Sequence, residues 1–291
     1  MRYFGTVIRP PSEASSYILQ ITYGCSHNGC TFCPTYLDKP FKVRPISEVL
    51  EDIETAQNAI PETRRVFLAD GNAMVLPAKQ LLRILDALNT AFPKLQRIGI
   101  YANARDILDK TEEELRMLFN KKLAIIYIGL ESGSDKVLKR VNKGTTVQEI
   151  IKAVLKAQNA GLKVSVIGLL GLGGIDLWQE HAEATGKAVS AMNPRFFSLL
   201  TLMVVPGTVL YEQEQTGKFS LPQPLEMLKE MKTIIEYTGV KSGCIFRTNH
   251  ASNYLAMEGR LPKDKENLLQ TVDSALRKGK SSLRPEYLRG L

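Results

Sequence analysis

The sequence predicts an α/β fold, a partial (β/α)6 TIM-like barrel of parallel strands. Apolar runs of strand length alternate with stretches of helical period from residue 17 to about residue 210. Such unbroken alternation is typical of parallel strands joined by right-handed crossovers. Because six strand–helix units are too few for a closed eight-stranded barrel, we expect an open one. The barrel should occupy residues 1–210, and residues 211–291 should form a helical C-terminal extension that packs on it.

The strands are predicted from short runs in which apolar residues follow one another, as they do in sheets that are covered on both faces. The fourth run, AIIYIGL, contains no charged residue and is the clearest case. The six runs cover residues 17–23, 65–69, 97–102, 124–130, 163–170 and 196–204.

The helices are predicted from their apolar periodicity and from their end signals. They cover residues 46–59, 77–91, 111–120, 146–160 and 177–192. Ser47 is expected to cap the first helix, and Pro77 suits the first position of the second. Thr111 and Glu114 have the spacing of a capping box, and Gly161 should end the fourth helix.

A polar or glycine-rich segment follows every predicted strand at its carboxyl end. Binding and catalytic groups of such folds collect at the carboxyl ends of the strands, so these six loops are the candidate functional positions. In chain order they hold three cysteines near residue 30, then Asp70, Gly71 and Asn72, then Asn103 and Arg105, then Glu131, Ser132 and Gly133, then residues 171–174, and finally residues 206–208.

Three cysteines, Cys25, Cys30 and Cys33, lie within nine residues, whereas Cys244 is more than two hundred residues away. Clustered thiolates suit a soft metal centre. A four-iron cluster needs four ligands, so three cysteines leave one iron open for something that reacts. The alternative is a Cys3His zinc site with His27, although a second pair of ligands, usual in structural zinc sites, is absent. Four cysteines in 291 residues do not suggest a disulfide framework.

The composition favours a protein that works inside the cell. No apolar stretch has the length of a signal peptide or of a membrane span, so we expect a cytoplasmic protein without membrane contact. The net charge of +8 is compatible with nucleic acid, an anionic substrate or an acidic redox partner, and it does not choose among them.

These motifs resemble the radical S-adenosylmethionine (SAM) superfamily, and most of all its branch of oxygen-independent coproporphyrinogen oxidases, methylthiotransferases and Elp3-like proteins. The resemblance covers about residues 15–210. Cys30 and Cys33 with Phe32 between them fit the family's last cysteine pair and its aromatic residue. The first two cysteines are separated by four residues here, where the family commonly has three.

The resemblance implies that Cys25, Cys30 and Cys33 hold a 4Fe-4S cluster and that S-adenosyl-L-methionine binds its open iron. Asp70, Gly71 and Asn72 would receive the methionine amine, although such a triplet is by itself a simple turn. Glu131 would accept the ribose hydroxyls, while Ser134 or Asp135 caps the following helix. The further SAM-binding residues that the resemblance implies are Phe32, Asn103, Ser132, Lys143, which would pair with the SAM carboxylate or be a surface lysine, and Val204 in the wall around the adenine.

The implied activity is that of an enzyme. A reduced cluster would split SAM into methionine and a 5′-deoxyadenosyl radical, which would take a hydrogen atom from a substrate. A one-electron reductant such as ferredoxin or flavodoxin would be required, and a small-molecule or peptide substrate is favoured. Two alternatives stay open. One is an RNA- or DNA-modifying enzyme, although no RNA-binding appendage is recognised. The other is a non-catalytic electron carrier, which would need Cys244 as the fourth ligand.

Outside the barrel, polar and reactive residues are densest in residues 244–254. This stretch resembles the ending of a group of uncharacterised small radical SAM proteins. We expect residues 247–254 to cover the open mouth of the barrel. Cys244 is a candidate hydrogen donor or an inert buried thiol, and His250 a candidate substrate contact or a structural tether. His27 is expected to bond a cluster sulfur, and His181, on a helix, is expected at the surface.

Overall fold

The chain has an α/β architecture in which most strands are parallel, as the computed structural model shows for residues 2–290. The strands are β1 (Tyr17–Gln20), β2 (Thr22–Tyr23), β3 (Lys42–Val43), β4 (Arg65–Ala69), β5 (Arg97–Ala102), β6 (Leu123–Glu131), β7 (Lys163–Leu170), β8 (Phe196–Thr201), β9 (Cys244–Arg247) and β10 (Glu258–Leu261).

The helices alternate with these strands through most of the chain. They are α1 (Ile46–Ala59), α2 (Ala78–Ala91), α3 (Ala104–Leu108), α4 (Glu112–Asn120), α5 (Asp135–Arg140), α6 (Val147–Asn159), α7 (Gly174–Met192), α8 (Val209–Gln215), α9 (Pro224–Tyr237) and α10 (Lys265–Lys278). Short 3-10 turns complete the described part of the chain. No helix among residues 2–290 is long and apolar enough to cross a membrane.

The first of two compact units comprises Met1–Asn28, Cys33–Ile128 and Lys152–Val164. Its strands β1, β4, β5 and β6 pair in this order, and all are parallel. The strands are short and apolar, and Phe67 and Leu68 at the centre of β4 are fully buried. One face of α2 is apolar at helical spacing and supplies Leu81, Leu85 and Leu88 to the core. β2 and β3 form a separate antiparallel pair.

The second unit comprises Gly29–Phe32, Gly129–Ile151 and Ser165–Leu291. Its strands β7, β8 and β9 are parallel, and β10 is antiparallel to β9. Helices α7 and α9 pack against each other, and α10 packs on α9. In neither unit does the sheet close on itself, which agrees with the predicted open barrel.

All six predicted strands and all five predicted helices are present, and the differences lie at their ends. The first predicted strand is interrupted at residue 21, where the chain leaves β1 for β2. Ser47 is not the cap of α1, because Pro45 holds that position. Thr111 and Glu114 form the predicted capping box. α7 begins at Gly174, three residues earlier than predicted.

The C-terminal extension has the predicted helical character in α8, α9 and α10, but it is not helical throughout. It contains two strands, β9 and β10, of which β9 continues the parallel pairing of β8. Each strand has only four residues, and CIFR and EGRL are too short to show a clear periodicity. The predicted boundary at residue 210 falls inside the second unit and stays a prediction.

Candidate active site

The cysteine loop begins where β2 ends. Cys25, Cys30 and Cys33 are partly exposed thiols, and none of them is in a disulfide. Within residues 2–290, no three His, Cys, Asp or Glu side chains are grouped as a metal site. The donor set nevertheless fits an iron–sulfur cluster, because it offers three accessible thiols on one short loop.

A buried ion pair fixes the base of this loop. The Asp70 carboxylate, directly after β4, lies 3.1 Å from Nζ of Lys39, and both side chains are almost fully buried. The same carboxylate oxygen accepts hydrogen bonds from Gln20 Nε2 at 2.7 Å and from the Gly24 amide at 3.3 Å. Gly24 precedes the first cysteine and Lys39 follows the last one. Asp70 therefore ties together the two ends of the cysteine loop.

Burial raises the pKa of Asp70 above its ordinary value, although the bonds from Gln20 and Lys39 act in the opposite direction. Its other oxygen, Oδ1, is buried and has no hydrogen-bond partner. A group in this position depends strongly on the Lys39 ammonium for its ionised state. Lys39 could not be predicted as part of the site, since one lysine after a cysteine motif has no distinguishing pattern.

Gly71 and Asn72 contact the loop beside Cys25. A Cβ on Gly71 would lie 2.8 Å from the Cβ of Cys25, so only glycine permits this approach. Asn72 makes a reciprocal pair with Ser26: Oδ1 accepts from the Ser26 amide at 2.9 Å, and Nδ2 donates to its hydroxyl at 2.6 Å. The side chains of Asp70 and Asn72 are thus used to hold the loop.

Asn103 follows β5, as predicted, and opens α3. Its amide donates to Oδ2 of Asp106 at 2.9 Å, and the same oxygen accepts from Asn72 Nδ2 at 3.0 Å. Asp106 thereby links the segments that follow β4 and β5. Burial raises the pKa of Asp106 above its ordinary value.

Backbone hydrogen bonds hold the part of the loop around Cys30. The Thr31 amide donates to the Val141 carbonyl at 3.0 Å, and the Thr31 carbonyl accepts from the Leu210 amide at 2.9 Å. The side-chain amide of Asn142 donates to the Gly29 carbonyl at 2.8 Å. The residues on both sides of Cys30 are therefore anchored through main-chain groups.

Phe32 and Val204 meet at one apolar cluster of the second unit. Both are partly buried and pack against it. The buried members of the cluster are Val137, Val141, Leu169, Leu172, Leu202, Leu210 and Phe219. The sequence predicted Phe32 and Val204 as neighbours of one ligand, and both pack against the same cluster. Apolar side chains of this kind suit the face of an aromatic base.

Glu131 ends β6 in an unusual conformation. Its φ is +59°, in the left-handed region that non-glycine residues rarely adopt outside functional or strained positions. Oε1 of Glu131 lies 2.8 Å from Nζ of Lys143, and both side chains are mostly buried. A Cβ on Gly129 would come within 3.0 Å of that Nζ, so the missing side chain makes room for the pair. Two residues that the sequence assigned to SAM binding are therefore in direct contact.

Ser132 and His181 form a contact that the sequence did not indicate. His181 is fully buried, so the expectation of a surface position was wrong. Its Nδ1 lies 2.7 Å from the Ser132 hydroxyl, one residue after Glu131. The helix carrying His181 has a buried stripe at this position, but a polar residue within such a stripe is easily mistaken for the exposed face.

The C-terminal segment reaches the carboxyl end of β8. Oδ1 of Asn253 accepts from the Thr201 hydroxyl at 2.8 Å, and the Ser252 hydroxyl accepts from the Thr201 amide at 3.2 Å. His250 is half-buried, and its Nδ1 accepts from the Ser252 amide at 3.1 Å. Burial and the nearby Arg284 lower the pKa of His250, so its ring is neutral at neutral pH. His250 thus lies beside a strand end where functional groups are expected.

Cys244 lies at the other end of the sheet. It opens β9, whose register pairs Phe196, the first residue of β8, with Ile245. It is fully buried, and burial raises the pKa of its thiol to about 12. These features match the inert buried thiol and not the catalytic hydrogen donor, because the strand ends that carry the loops are opposite.

The sequence profile of the radical SAM superfamily matches residues 19–185, more than half of the chain. An uncharacterized protein of Methanocaldococcus jannaschii is 27% identical over 260 residues, which cover 85% of this chain and 74% of that protein. The heme chaperone HemW of Bacillus subtilis is 24% identical over 72% of this chain and 56% of its own length. The chain thus spans little more than half of HemW.

Solved structures share the fold. Coproporphyrinogen III oxidase (HemN) of Escherichia coli superposes with a TM-score of 0.58 at 18% identity, over 76% of this chain and 51% of the oxidase. Methylornithine synthase (PylB) gives a TM-score of 0.56 at 15% identity over 88% of this chain and 68% of its own. These likenesses confirm the TIM-like α/β fold. Members of the matching superfamily are enzymes that use a 4Fe-4S cluster and SAM, and this chain belongs to the radical SAM superfamily.

Proposed function

We propose that Cys25, Cys30 and Cys33 hold a 4Fe-4S cluster and that the chain is a radical SAM enzyme which abstracts a hydrogen atom from its substrate. The observation that carries this proposal is the cysteine loop, with three thiols and a base fixed by the buried Lys39–Asp70 pair. Three thiolates repel one another unless a cation lies between them. We therefore expect the cysteine loop to reach its final conformation only when the cluster binds.

When bound and reduced, the cluster supplies the electron that splits SAM into methionine and the 5′-deoxyadenosyl radical. The protein contributes binding and orientation. Glu131 offers carboxylate oxygens to the ribose hydroxyls, and Lys143, already 2.8 Å away, offers an ammonium to the methionine carboxylate. Phe32 and Val204 provide an apolar surface for the adenine. Asp70, Gly71, Asn72, Asn103 and Ser132 stay predicted SAM contacts.

On the substrate side we propose a role for His250. Its ring is neutral, and Nδ1 accepts the Ser252 amide, so the proton of the neutral ring is on Nε2. A neutral imidazole with an Nε2–H can donate a hydrogen bond to a substrate or exchange a proton with it. A small-molecule or peptide substrate is favoured, together with a one-electron reductant such as ferredoxin or flavodoxin. Because an open cluster is damaged by oxidation, we place the protein in the cytoplasm.

Deuterium transfer tests the hydrogen-abstraction step. The anaerobically reconstituted protein is incubated with SAM, a reductant and uniformly deuterated candidate substrates, and 5′-deoxyadenosine is analysed by mass spectrometry. A substrate is expected to add one mass unit or more to 5′-deoxyadenosine. Abundant unlabelled 5′-deoxyadenosine, formed alongside a deuterated substrate that is nevertheless converted to product, would contradict abstraction from that substrate.

Replacing Glu131 by alanine is expected to weaken SAM binding. The change removes a charge-assisted hydrogen-bond acceptor worth about 1.5–3 kcal/mol, or roughly 10- to 150-fold in the dissociation constant. The measurement is anaerobic titration calorimetry on protein with its iron content verified. The exposed Glu266 on α10 provides the control, since Glu266→Ala should bind SAM as the unmodified protein does. An unchanged dissociation constant for Glu131→Ala, with the cluster intact, would reject the ribose role.

Replacing His250 by alanine is expected to lower turnover of the identified substrate much more than it lowers SAM affinity. If His250 acts as an acid or base, the loss is on the order of 10²-fold or more. The measurement compares product formation with SAM binding in the same preparation. Equal losses in both quantities, or no loss of turnover, would favour the structural tether instead.

A further inference from the structure

Three polar side chains form a buried row behind the turn that ends β6. Ser132, His181 and Glu230 are each fully buried. Nδ1 of His181 lies 2.7 Å from the Ser132 hydroxyl, and Nε2 lies 3.2 Å from Oε1 of Glu230. The row therefore runs from the turn, through α7, to α9.

The row has one preferred arrangement of protons. Nε2 faces a carboxylate, and a lone pair there would be repelled, so Nε2 carries a proton. This contact has the distance of an ion pair but not the direction of a good hydrogen bond. In the neutral ring Nδ1 is then an acceptor, and Ser132 donates its hydroxyl proton to it. The Ser132 oxygen is left to accept from the Ser134 amide at 3.0 Å.

The row is also tied to the next strand. Oε1 of Glu230 accepts a hydrogen bond at 2.7 Å from the amide of Gly171, the residue that follows β7. On the same side, the Gly133 amide donates to the Thr185 hydroxyl at 2.9 Å, and that hydroxyl donates to the His181 carbonyl at 2.6 Å. One buried histidine and one buried glutamate thus connect the residues after β6 and β7.

The stability of the fold does not explain why these three polar side chains are buried together. A buried ionisable pair is often replaced by apolar residues of similar size at no loss of stability, so stability alone does not account for it. In addition, Oε2 of Glu230 is buried without a hydrogen-bond partner, which costs free energy. What the row does determine is the direction of the Ser132 hydroxyl and the position of the turn. Glu131, with its left-handed backbone, is the neighbouring residue in that turn.

We propose that His181 and Glu230 are positioning residues for SAM: they fix the Glu131–Ser134 turn so that the Glu131 carboxylate faces the ribose. This inference rests on the proposed role of Glu131. It assigns a function to two buried residues that would act through the turn and not on SAM directly. The proposal concerns affinity for SAM and predicts no change in the ability of the cysteine loop to bind iron.

The test uses Glu230→Gln in the anaerobically reconstituted protein. Glutamine keeps the shape and an oxygen for the Gly171 amide but removes the charge beside His181. We expect SAM to bind roughly tenfold more weakly, because the Gly171 amide then bonds a neutral oxygen and the charge beside His181 is lost. Iron content should equal that of the unmodified protein. Glu236→Gln, on the same helix and largely exposed, is the matched control and should bind SAM normally.

A spectroscopic readout separates positioning from general damage. Long-range ¹H–¹⁵N spectra of the ring nitrogens should show a proton on Nε2 of His181, the nitrogen that faces Glu230. With three histidines in the chain, a His181→Asn variant assigns the signal. In Glu230→Gln we expect the two nitrogen shifts of His181 to move, while those of His250 do not. His181→Asn, which keeps an acceptor for Ser132, should retain part of the SAM affinity.

The outcomes distinguish this inference from the proposed function. Normal SAM binding by Glu230→Gln would overturn the inference, as would a loss that merely follows the fraction of unfolded protein. If Glu131→Ala also binds SAM normally, the ribose role fails, and with it the basis of the inference. If Glu131→Ala loses affinity but Glu230→Gln does not, only the inference is wrong.

Discussion

Changing Cys25, Cys30 or Cys33 to alanine is expected to abolish the broad visible absorption of the anaerobically reconstituted protein and its cleavage of SAM. Each cysteine supplies one of the three thiolate ligands, so a single change leaves a second iron of the cluster without a protein ligand. Within the described residues, no other thiol lies near this loop in the sequence to replace a missing one. The measurements are absorption spectra, iron and sulfide content per chain, and 5′-deoxyadenosine formed.

Cys244→Ala is the matched control for these variants. Cys244 is fully buried and opens β9, away from the strand ends that carry the loops. The variant should therefore keep a full iron complement and cleave SAM. An electron carrier that uses Cys244 as its fourth ligand would instead lose the cluster. A triple Cys25, Cys30 and Cys33 variant that still binds four irons would contradict the assignment of the ligands.

Replacing Lys39 by methionine is expected to destabilise the protein by about 3–5 kcal/mol, because it leaves a buried carboxylate without its cation. The Lys39 and Asp70 side chains are 4% and 0% exposed. The loss should be measured by denaturant unfolding of the metal-free protein under reducing conditions. Iron retained after reconstitution should also fall, since Asp70 joins the two ends of the cysteine loop.

The loss should depend on pH in a defined direction. Burial already raises the pKa of Asp70, and removal of the Lys39 ammonium raises it further. Between the unfolded and the folded pKa, the folded protein binds more protons than the unfolded chain, so its stability falls as the pH rises. The destabilisation caused by Lys39→Met should therefore be largest at high pH. It should become smaller as the pH falls through the pKa of Asp70 in the folded variant.

Two further variants check this interpretation. Lys94→Met removes an exposed ion pair with Glu62 and should change stability by no more than about 0.5 kcal/mol. The double change of Lys39 to methionine and Asp70 to asparagine removes both charges and should recover part of the loss. If Lys39→Met unfolds at the same denaturant concentration as Lys94→Met, the buried pair does not secure the loop.

The strands and helices of the barrel could be predicted from the sequence, because the strands are continuous apolar runs and the helices have clear end signals. The capping box of Thr111 and Glu114 follows from local chemistry, and the parallel direction of the strands before residue 201 follows from their alternation with helices. The short strands β9 and β10 could not be predicted, because four residues are too few to show a period and their pairing depends on contacts distant in sequence.

The residues proposed to bind the cluster or SAM could be predicted from the sequence. The buried residues that hold them in position could not. The cysteines, Glu131 and Lys143 stand in recognisable motifs, and the structure brings Glu131 and Lys143 within 2.8 Å of each other. Lys39 and His181 lie outside any motif. Their burial depends on partners 31 and 49 residues away, Asp70 and Ser132, which no pattern in the sequence connects.

Reductive cleavage of SAM tests the central claim most directly. The protein is reconstituted anaerobically with iron and sulfide, its iron content is determined, and SAM and dithionite are added. We predict methionine and 5′-deoxyadenosine in equal amounts, and neither product from the triple Cys25, Cys30 and Cys33 alanine variant treated in the same way. A protein that carries its full complement of four irons, binds SAM and still forms no 5′-deoxyadenosine would contradict the assignment of radical SAM chemistry to this chain.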